Sequence, residues 1–424
     1  CAHWKFETPA EVRSGILARQ REDGGYTIFT GDRAAWYYAL DADTGELIWK
    51  DKVDEHPWAL VTGTAAIYKD RIYVPTASFE ELAGGSAKYE CCTFRGSVTA
   101  LDAKSGDVIW KTYVIPELPV PTGKSPYGVD KLGPSGAGIW NPAPIDEERQ
   151  QLYVTTGDAY SRPASKNSDA VVALRLDTGA IAWSWQATAD DAYTNACVDP
   201  DTHPEILDEC GPDVDFGASA ILRTLNDGSG ILLAGQKSGM LHALDPDDGA
   251  LLWQKRISPG GILGGIEWGM AADDKNIYVP ISDVWENMSE QGAAGGVVAL
   301  DFNTGKIVWE QPALEPDCKG TDGCVAGQPQ AATVTPGLLF SGSMDAHLRA
   351  YRTSDGEVVW DYDTNQAYET VNGVEGHGGS LNGGGAVIVD GMVYVTSGYG
   401  VFGIDGNVLL AFGPAAIDKG ATKK

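Results

Sequence analysis

The chain has 424 residues, including 53 glycines, 22 prolines and 13 tryptophans, and its net charge is −28. This acidic balance argues against a nucleic-acid-binding protein, which would present a basic surface. The sequence contains no apolar run of the length that a membrane-spanning helix requires. The composition therefore favours a turn-rich, soluble secreted protein without a membrane span.

The seven cysteines indicate an oxidising compartment, periplasmic or outside the cell. Cys197 and Cys210 lie close together in the sequence, as do Cys318 and Cys324, and each pair is predicted to close a short polar loop. Cys1 remains without an obvious partner. The sequence has no signal peptide, and we expect it to be a mature or trimmed chain.

Cys91 and Cys92 are adjacent in the sequence. A disulfide between them would close a small strained ring, because neighbouring Cα atoms are only about 3.8 Å apart. Strained backbone of this kind is typical of functional sites. The alternative is that each cysteine pairs elsewhere or stays reduced, and the dipeptide alone does not decide between these possibilities.

Six segments share one pattern along the chain: an apolar strand, a polar turn with glycine, and a tryptophan four residues after that glycine. They end at Trp49, Trp110, Trp183, Trp253, Trp309 and Trp360. The pattern predicts a hairpin whose tight turn needs glycine, with the tryptophan docked on the neighbouring unit. An alternating strand such as TIFTGD or RIYVPTAS precedes each hairpin. Units of about 50–70 residues with several short strands indicate a β-propeller.

Seven such units can be counted, and the last, ending in NVLLAF, lacks the tryptophan. Trp4 fits the repeat as the tryptophan of one more unit, whose turn glycine would precede residue 1. The fold class is therefore predicted to be all-β: one propeller domain over residues 1–424, eight-bladed, with its first blade largely absent from this chain. The alternative is that the two chain ends combine into a shared blade.

The sequence resembles the quinoprotein alcohol dehydrogenases, and among them most of all the polyvinyl alcohol dehydrogenase branch. The resemblance covers nearly the whole chain and is carried by YECCTFRGSVTALDAKSGDVIWKTY, GPSGAGIWNPAPID and GPDVDFGAS. It implies an eight-bladed propeller that holds pyrroloquinoline quinone (PQQ) and a calcium ion. It also implies oxidation of alcohol groups, with a preference for secondary ones, and transfer of electrons to cytochrome c. The 424 residues carry no CxxCH haem motif, so a cytochrome domain would lie outside them.

The resemblance also assigns the two walls of a flat PQQ site. The family uses a vicinal disulfide as one wall, and Cys91 and Cys92 match it. A tryptophan forms the other wall, and Trp140 matches because it lies 18 residues before Asp158, as in the family. Further candidate cofactor-binding residues, matched to the family's cation near the quinone or chosen by charge and loop position, are Lys237, Arg95, Arg13, Glu267 and Trp268.

Calcium prefers hard oxygen ligands, and the family takes three of them from successive blades. Glu80 or Glu81 in TASFEEL fits the first ligand, Asp158 the second and Asp215 the third. The third ligand is also the family's general base. It accepts the alcohol proton while hydride passes to the quinone, and calcium polarises the quinone carbonyl.

Two alternatives to Asp215 as the base are Asp213, its near neighbour, and Asp191 in TADDAYTNAC. Alternation along Asp213-Val214-Asp215 would aim the two carboxylates differently. His242 and His347 alternate into blade strands and are predicted to be packing residues.

A different class of function is a non-enzymatic propeller scaffold, as in outer-membrane assembly lipoproteins that carry the same repeat. Those proteins lack the paired cysteines and the acidic trio. A PQQ-dependent sugar dehydrogenase of the same fold is the alternative within the enzyme class.

Overall fold

The computed structural model describes residues 3–198, 210–284, 295–318, 320–398 and 402–414. The chain forms two compact units, Cys1–Trp268 with Phe302–Lys306, and Gly269–Asp301 with Ile307–Lys424. Among the described residues, helix is limited to one α-helix, α1 (Glu80–Gly84), and one 3-10 turn, Asn195–Val198. A single domain over residues 1–424 stays a prediction.

The first unit contains four antiparallel sheets whose strands pair in chain order, except that Ala59–Leu60 and Ala66–Tyr68 both pair with Arg71–Ser78. Blade 1 consists of Leu17–Gln20, Tyr26–Gly31, Trp36–Asp41 and Leu47–Lys52. Blade 2 consists of Ala59–Leu60, Ala66–Tyr68, Arg71–Ser78, Ser97–Asp102 and Val108–Tyr113. Blade 3 consists of Ile145–Asp146, Gln151–Thr155, Ala170–Arg175 and Ile181–Gln186. Blade 4 consists of Ile221–Thr224, Gly230–Gly235, Met240–Leu244 and Leu251–Arg256.

Two short strand pairs lie outside these blades in the first unit. One is the hairpin of Val120–Lys124 and Asp130–Gly133, and the other pairs Ser135–Gly136 with Ala159–Ser161.

The second unit contains three sheets of the same kind. Blade 5 consists of Ala271–Ala272, Asn276–Ile281, Gly296–Asp301 and Lys306–Pro312. Blade 6 consists of Thr333–Thr335, Leu338–Gly342, His347–Arg352 and Val358–Asp363. Blade 7 consists of Val387–Val389, Met392–Ser397 and Val408–Phe412. A separate hairpin pairs Ala367–Glu369 with Glu375–His377.

The inner strands of the blades are buried on both faces, whereas the outer strands are partly exposed. All five residues of Gln151–Thr155 are buried, but Val108–Tyr113 has none that is fully buried. Alternate side chains of neighbouring blades interdigitate, as where Phe29 and Tyr37 share a core with Ile72. Burial of these apolar faces is the main force that holds the sheets together.

The predicted docking of the repeat tryptophans on the neighbouring unit is confirmed for five of the six, and Trp4 docks in the same way; Trp360 instead packs against Phe412 of blade 7. The indole N–H groups of Trp4, Trp49, Trp110, Trp183, Trp253 and Trp309 donate to the carbonyls of Ala42, Ala103, Leu176, Pro246, Phe302 and Thr353. Each ring covers the turn glycine of the next repeat, so closely that a Cβ on Gly106 would come within 2.7 Å of the Trp49 ring. The glycine therefore serves both the turn, through its positive φ, and the space for the ring.

Gly106→Ala is expected to destabilise the first unit by about 2–4 kcal/mol, because a Cβ is strained at a φ of +83° and would also displace Trp49. Gly123→Ala is the matched control, since nothing lies within 4 Å of its Cβ position. Denaturant unfolding of both variants checks this expectation, and equal midpoints would contradict the double role of Gly106.

The prediction of an all-β propeller is confirmed, but the prediction of eight blades is wrong: the described residues form seven. Trp4 docks on Gly45 in the manner of the repeat. The described residues before Gly15 nevertheless form no strand, because a docking tryptophan needs only the neighbouring turn, not a sheet of its own.

The disulfides Cys197–Cys210 and Cys318–Cys324 are present as predicted, whereas Cys1 lies outside the described residues. His242 packs against Trp185, with the ring centroids 4.9 Å apart. The packing role predicted for His347 is incomplete, because its ring nitrogens lie 2.6 Å from Asp361 and 3.2 Å from Asp317. None of the described helices is long and apolar enough to cross a membrane.

Candidate active site

Three buried aspartates converge from a loop of blade 3 and from the segment that leads into blade 4. Asp158 follows the strand Gln151–Thr155, and Asp213 and Asp215 lie on the segment that leads into blade 4. One carboxylate oxygen from each lies within 4.8 Å of the others. This spacing fits oxygens on opposite sides of a calcium ion, whose ligands lie at 2.3–2.6 Å.

Lys237, which follows the strand Gly230–Gly235, inserts its ammonium group between two of these aspartates. Its Nζ lies 2.6 Å from Asp215 Oδ1 and 3.0 Å from Asp213 Oδ1. Burial acts to lower the pKa of Lys237, but the two carboxylates raise it well above its ordinary value. The lysine therefore stays charged inside the cluster.

The two aspartates point to the same cation, so the expectation that they would be aimed differently is wrong. Strand alternation places residues i and i+2 on one face, and Asp213 and Asp215 are two positions apart. Asp213 has a φ of +51°, in the left-handed region. Besides Lys237, Asp215 also lies close to Trp140. The Cβ position of Gly157 lies 3.0 Å from Asp215 Oδ2 and 3.5 Å from Trp140 Nε1, so Asp215 lies beside the tryptophan.

The acidic groups of the cluster outnumber its one lysine, and their pKa values reflect this. Burial raises the pKa of Asp213 to about 7, against the opposing effect of Lys237. Burial also raises the pKa values of Glu81 and Glu267 to about 8, with Asp213 and Asp215 adding repulsion. The pKa of Asp158 is raised well above its usual range by burial and then by Glu81. A divalent cation would relieve this repulsion.

Trp140 lies at the edge of the cluster with three of the other predicted cofactor-binding residues. The Lys237 ammonium lies 5.7 Å from its ring centroid. Trp268 packs edge-on against Trp140 with centroids 5.2 Å apart, and the Arg13 guanidinium lies 5.6 Å from the Trp268 centroid. Gly217 leaves room for the Trp140 ring next to Glu267, because a Cβ at residue 217 would come within 2.5 Å of that ring and 2.4 Å of the Glu267 carbonyl oxygen.

Cys91 and Cys92 form a disulfide with each other, across a cis peptide bond. Their sulfurs face α1, since a Cβ on Gly84 would lie 2.7 Å from Cys91 Sγ and 3.2 Å from Cys92 Sγ. The same short helix carries Glu81, which interacts electrostatically with Asp213 and Asp215. Helix α1 thus connects the disulfide with the acidic cluster.

Of the two glutamates predicted as alternative metal ligands, Glu81 interacts electrostatically with Asp213 and Asp215, whereas Glu80 is held by the segment after Cys92. The Glu80 carboxylate accepts hydrogen bonds from the backbone N–H groups of Thr93 and Phe94. Burial acts to raise the pKa of Glu80, but the neighbouring His56 and these N–H groups bring it below its ordinary value. Because the Glu80 carboxylate is already satisfied by these hydrogen bonds, Glu81 is the better candidate ligand.

Two other candidates take different positions from those predicted. The Arg95 guanidinium donates to the carbonyls of Ile115, Pro116 and Glu117 and lies 4.0 Å from the Tyr113 ring centroid, which gives no support for binding a cofactor carboxylate. The Asp191 carboxylate accepts hydrogen bonds from the N–H groups of Asp213 and Val214. Asp191 thus holds the loop that carries the other two candidate bases.

Sequence reasoning missed two buried groups beside the cluster. Burial raises the pKa of Tyr193, whose hydroxyl has no hydrogen-bond partner among the described residues, and Asp213 and Glu81 raise it further. Asp169 is fully buried, and burial together with Asp191 and Asp215 raises its pKa well above the ordinary value. Only the position of Tyr193 two residues after Asp191 could have drawn attention to it.

Two models of known protein families match this chain, and together they cover most of the blades. A family model described as "Glucose/ethanol/alcohol dehydrogenase, beta-propeller domain" matches residues 59–208. A second, described as "Outer membrane protein assembly factor BamB", matches residues 237–409. Over these two ranges the chain is similar to PQQ-type β-propeller proteins, among them the alcohol dehydrogenases.

Two similar relatives carry the name polyvinylalcohol dehydrogenase. One, from a Pseudomonas species, is 41% identical over 97% of this chain, and one from Sphingopyxis is 38% identical over 97%. The chain spans 66% of the length of each, just under two thirds. A crystal structure of quinohemoprotein alcohol dehydrogenase from Comamonas testosteroni shares the fold, with a TM-score of 0.63 and 18% identity over 90% of this chain and 64% of that one.

Proposed function

We propose that this chain is the propeller part of a PQQ- and calcium-dependent dehydrogenase that oxidises alcohol groups to carbonyls. The observation that carries the proposal is the buried cluster of Asp158, Asp213 and Asp215 around Lys237, next to Trp140. Secondary alcohols are the proposed substrate class, because the similar relatives are named for polyvinyl alcohol, whose hydroxyl groups are secondary.

The residues of the cluster fit a calcium ion. The donor set consists of hard carboxylate oxygens, which calcium prefers. Asp158 Oδ2 and Glu267 Oε2 are buried without a hydrogen-bond partner among the described residues, so the cluster has spare acceptors. Asp158, Asp215 and Asp213 would hold the ion, with Glu81 as a further ligand. When bound, the ion would supply a Lewis acid.

The residues around the cluster also fit a flat, carboxylated quinone. Trp140 and the Cys91–Cys92 disulfide would be its two walls, and Arg13 and Lys237 would supply cations for its oxygens. Trp268 supports Trp140 through their edge-on contact. When bound, PQQ would supply the acceptor for the hydride that leaves the alcohol carbon.

The protein's own part in the reaction is to position the alcohol and accept its proton. Asp215 would take the hydroxyl proton on its carboxylate while the carbon–hydrogen bond breaks, which leaves a carbonyl product. Lys237, held charged 2.6 Å away, would keep that carboxylate in place. Asp191 would fix the loop through its hydrogen bonds to Asp213 and Val214.

We further propose cytochrome c as the electron acceptor and a periplasmic or secreted location. The family resemblance supports cytochrome c as the acceptor. The 424 residues themselves carry no CxxCH haem motif. Three disulfides support the periplasmic or secreted location.

The test is a titration of the protein with PQQ in the presence of calcium, in which quenching of tryptophan fluorescence reports binding. We expect saturable binding of one PQQ per chain, and then reduction of a dye acceptor with secondary alcohols. A panel of alcohols and sugars distinguishes an alcohol dehydrogenase from a sugar dehydrogenase. Absence of both PQQ binding and dye reduction would refute the proposal.

The scaffold alternative has a specific observation in its favour, the BamB family model over residues 237–409. That range leaves out Asp158, Asp213 and Asp215. A scaffold has no need of a buried cluster whose acidic groups repel one another, because such a cluster costs folding stability. The cluster therefore favours the dehydrogenase.

A further inference from the structure

Helix α1 begins with two consecutive glutamates that point to different places. Glu81 is electrostatically coupled to the acidic cluster, whereas the Glu80 side chain is fully buried on the side of the disulfide loop. The mechanism proposed above uses Glu81 but gives no role to Glu80. A fully buried carboxylate is costly to fold unless its oxygens are satisfied.

The Glu80 carboxylate is satisfied by the segment that directly follows Cys92. The Thr93 N–H donates to both oxygens at 3.0 and 2.9 Å, and the Phe94 N–H donates to Oε2 at 2.7 Å. The Tyr89 hydroxyl, on the other side of the disulfide, donates at 3.1 Å. One carboxylate therefore ties down the chain both before and after Cys91–Cys92.

Two further contacts complete this arrangement. His56, on the connection between blades 1 and 2, lies with its Nε2 3.6 Å from Glu80 Oε1 and 3.0 Å from the Thr93 hydroxyl. At the other end of α1, Gly84 lies directly against both sulfurs. The helix thus contacts the disulfide loop at its first residue through hydrogen bonds and at its last residue through packing.

We propose that Glu80 is a positioning residue that holds the Cys91–Cys92 disulfide in place as a rigid wall for a flat cofactor. The part concerning the cofactor rests on the proposed function, whereas the anchoring of the disulfide does not. Charge-assisted hydrogen bonds to a buried carboxylate are strong enough to keep the loop closed.

Glu80→Gln tests the proposal with little change of shape. Backbone N–H groups face both carboxylate oxygens, so either orientation of the amide turns its own N–H group toward another donor. The loop should open more often and expose the disulfide to reductant. We expect the Cys91–Cys92 bond to be reduced about tenfold faster or more, measured by thiol labelling and peptide mass spectrometry.

Two controls separate local opening from general destabilisation. Cys318–Cys324 in the same sample is the internal reference for the reduction rate. Asp32→Asn is the matched variant, because Asp32 is also fully buried and accepts hydrogen bonds from two N–H groups, of Ala34 and Trp36, and from the Tyr38 hydroxyl. We expect no selective effect of Asp32→Asn on Cys91–Cys92.

A second readout is the affinity for PQQ at saturating calcium, which Glu80→Gln should lower about tenfold without changing calcium affinity. Glu81→Gln should instead lower the affinity for calcium and leave the affinity for PQQ at saturating calcium nearly unchanged. If Glu80→Gln fails to fold, His56→Gln should give a smaller selective acceleration of reduction. Unchanged or merely uniform reduction rates in the variants overturn the proposal. Wild-type protein that binds no PQQ refutes the proposed function instead, and the reduction rates still decide the anchoring role.

Discussion

Asp215→Asn is expected to lower the rate of alcohol oxidation about 10²–10⁴-fold, the usual contribution of a positioned acid–base group. The asparagine has nearly the same shape but cannot accept the hydroxyl proton at neutral pH. Asp215 is the better candidate because its Oδ2 lies near the same Gly157 Cβ position as Trp140 Nε1, beside the proposed cofactor wall. Turnover is measured with saturating PQQ and calcium, so that weaker metal binding does not contribute.

Asp213→Asn is the matched control for that experiment. It removes a carboxylate that also contacts Lys237, at 3.0 Å, without altering the group beside Trp140. We expect a smaller loss of turnover. A nearly normal Asp215→Asn together with an inactive Asp213→Asn would reverse the two roles. Full turnover in both variants would direct attention to Asp191.

Removal of calcium is expected to weaken PQQ binding at least about a hundredfold. Without the ion, the carboxyl groups of the cluster face a tricarboxylate with one lysine to offset them, and a single uncompensated charge pair at 4 Å costs about 4 kcal/mol near a protein surface. The measurement is a PQQ titration in the presence of a chelator, repeated after addition of excess calcium. The chelated protein should recover its affinity when calcium is restored.

Asp158→Asn serves as the variant for this prediction, because it removes one ligand of the aspartate cluster. It should raise the calcium concentration that is needed for half-maximal PQQ binding. Equal PQQ affinities with and without chelator would refute the metal assignment.

The repeat made most of the fold predictable, because one strand–turn–tryptophan pattern specifies both the hairpin and its contact with the next blade. It failed at Trp4, whose docking on Gly45 obeys the pattern without a strand of its own. The number of blades depends on strand pairing between segments, which the docking motif does not encode.

The site was predictable where a motif carries the residue, as for Asp158, Trp140 and Lys237, which the structure brings together. It was less predictable where local backbone decides the direction of a side chain. Asp213 and Asp215 lie two positions apart and both reach Lys237, whereas the adjacent Glu80 and Glu81 of α1 have different partners. Tyr193 and Asp169 join the cluster only through tertiary contacts, which no local pattern reports.

The docking of each tryptophan on the glycine of the following repeat has a consequence for synthesis of the chain. A ribosome delivers the tryptophan before the turn that will cover it, so the newest blade always waits for its neighbour with an uncovered indole ring. Domains form from the N-terminus onward as they emerge, and repeat arrays gain stability from contacts between neighbours. We therefore expect a nascent chain to expose the apolar edge of its newest blade, and this exposed edge to move toward the C-terminus as the chain grows. A chaperone would bind at that edge.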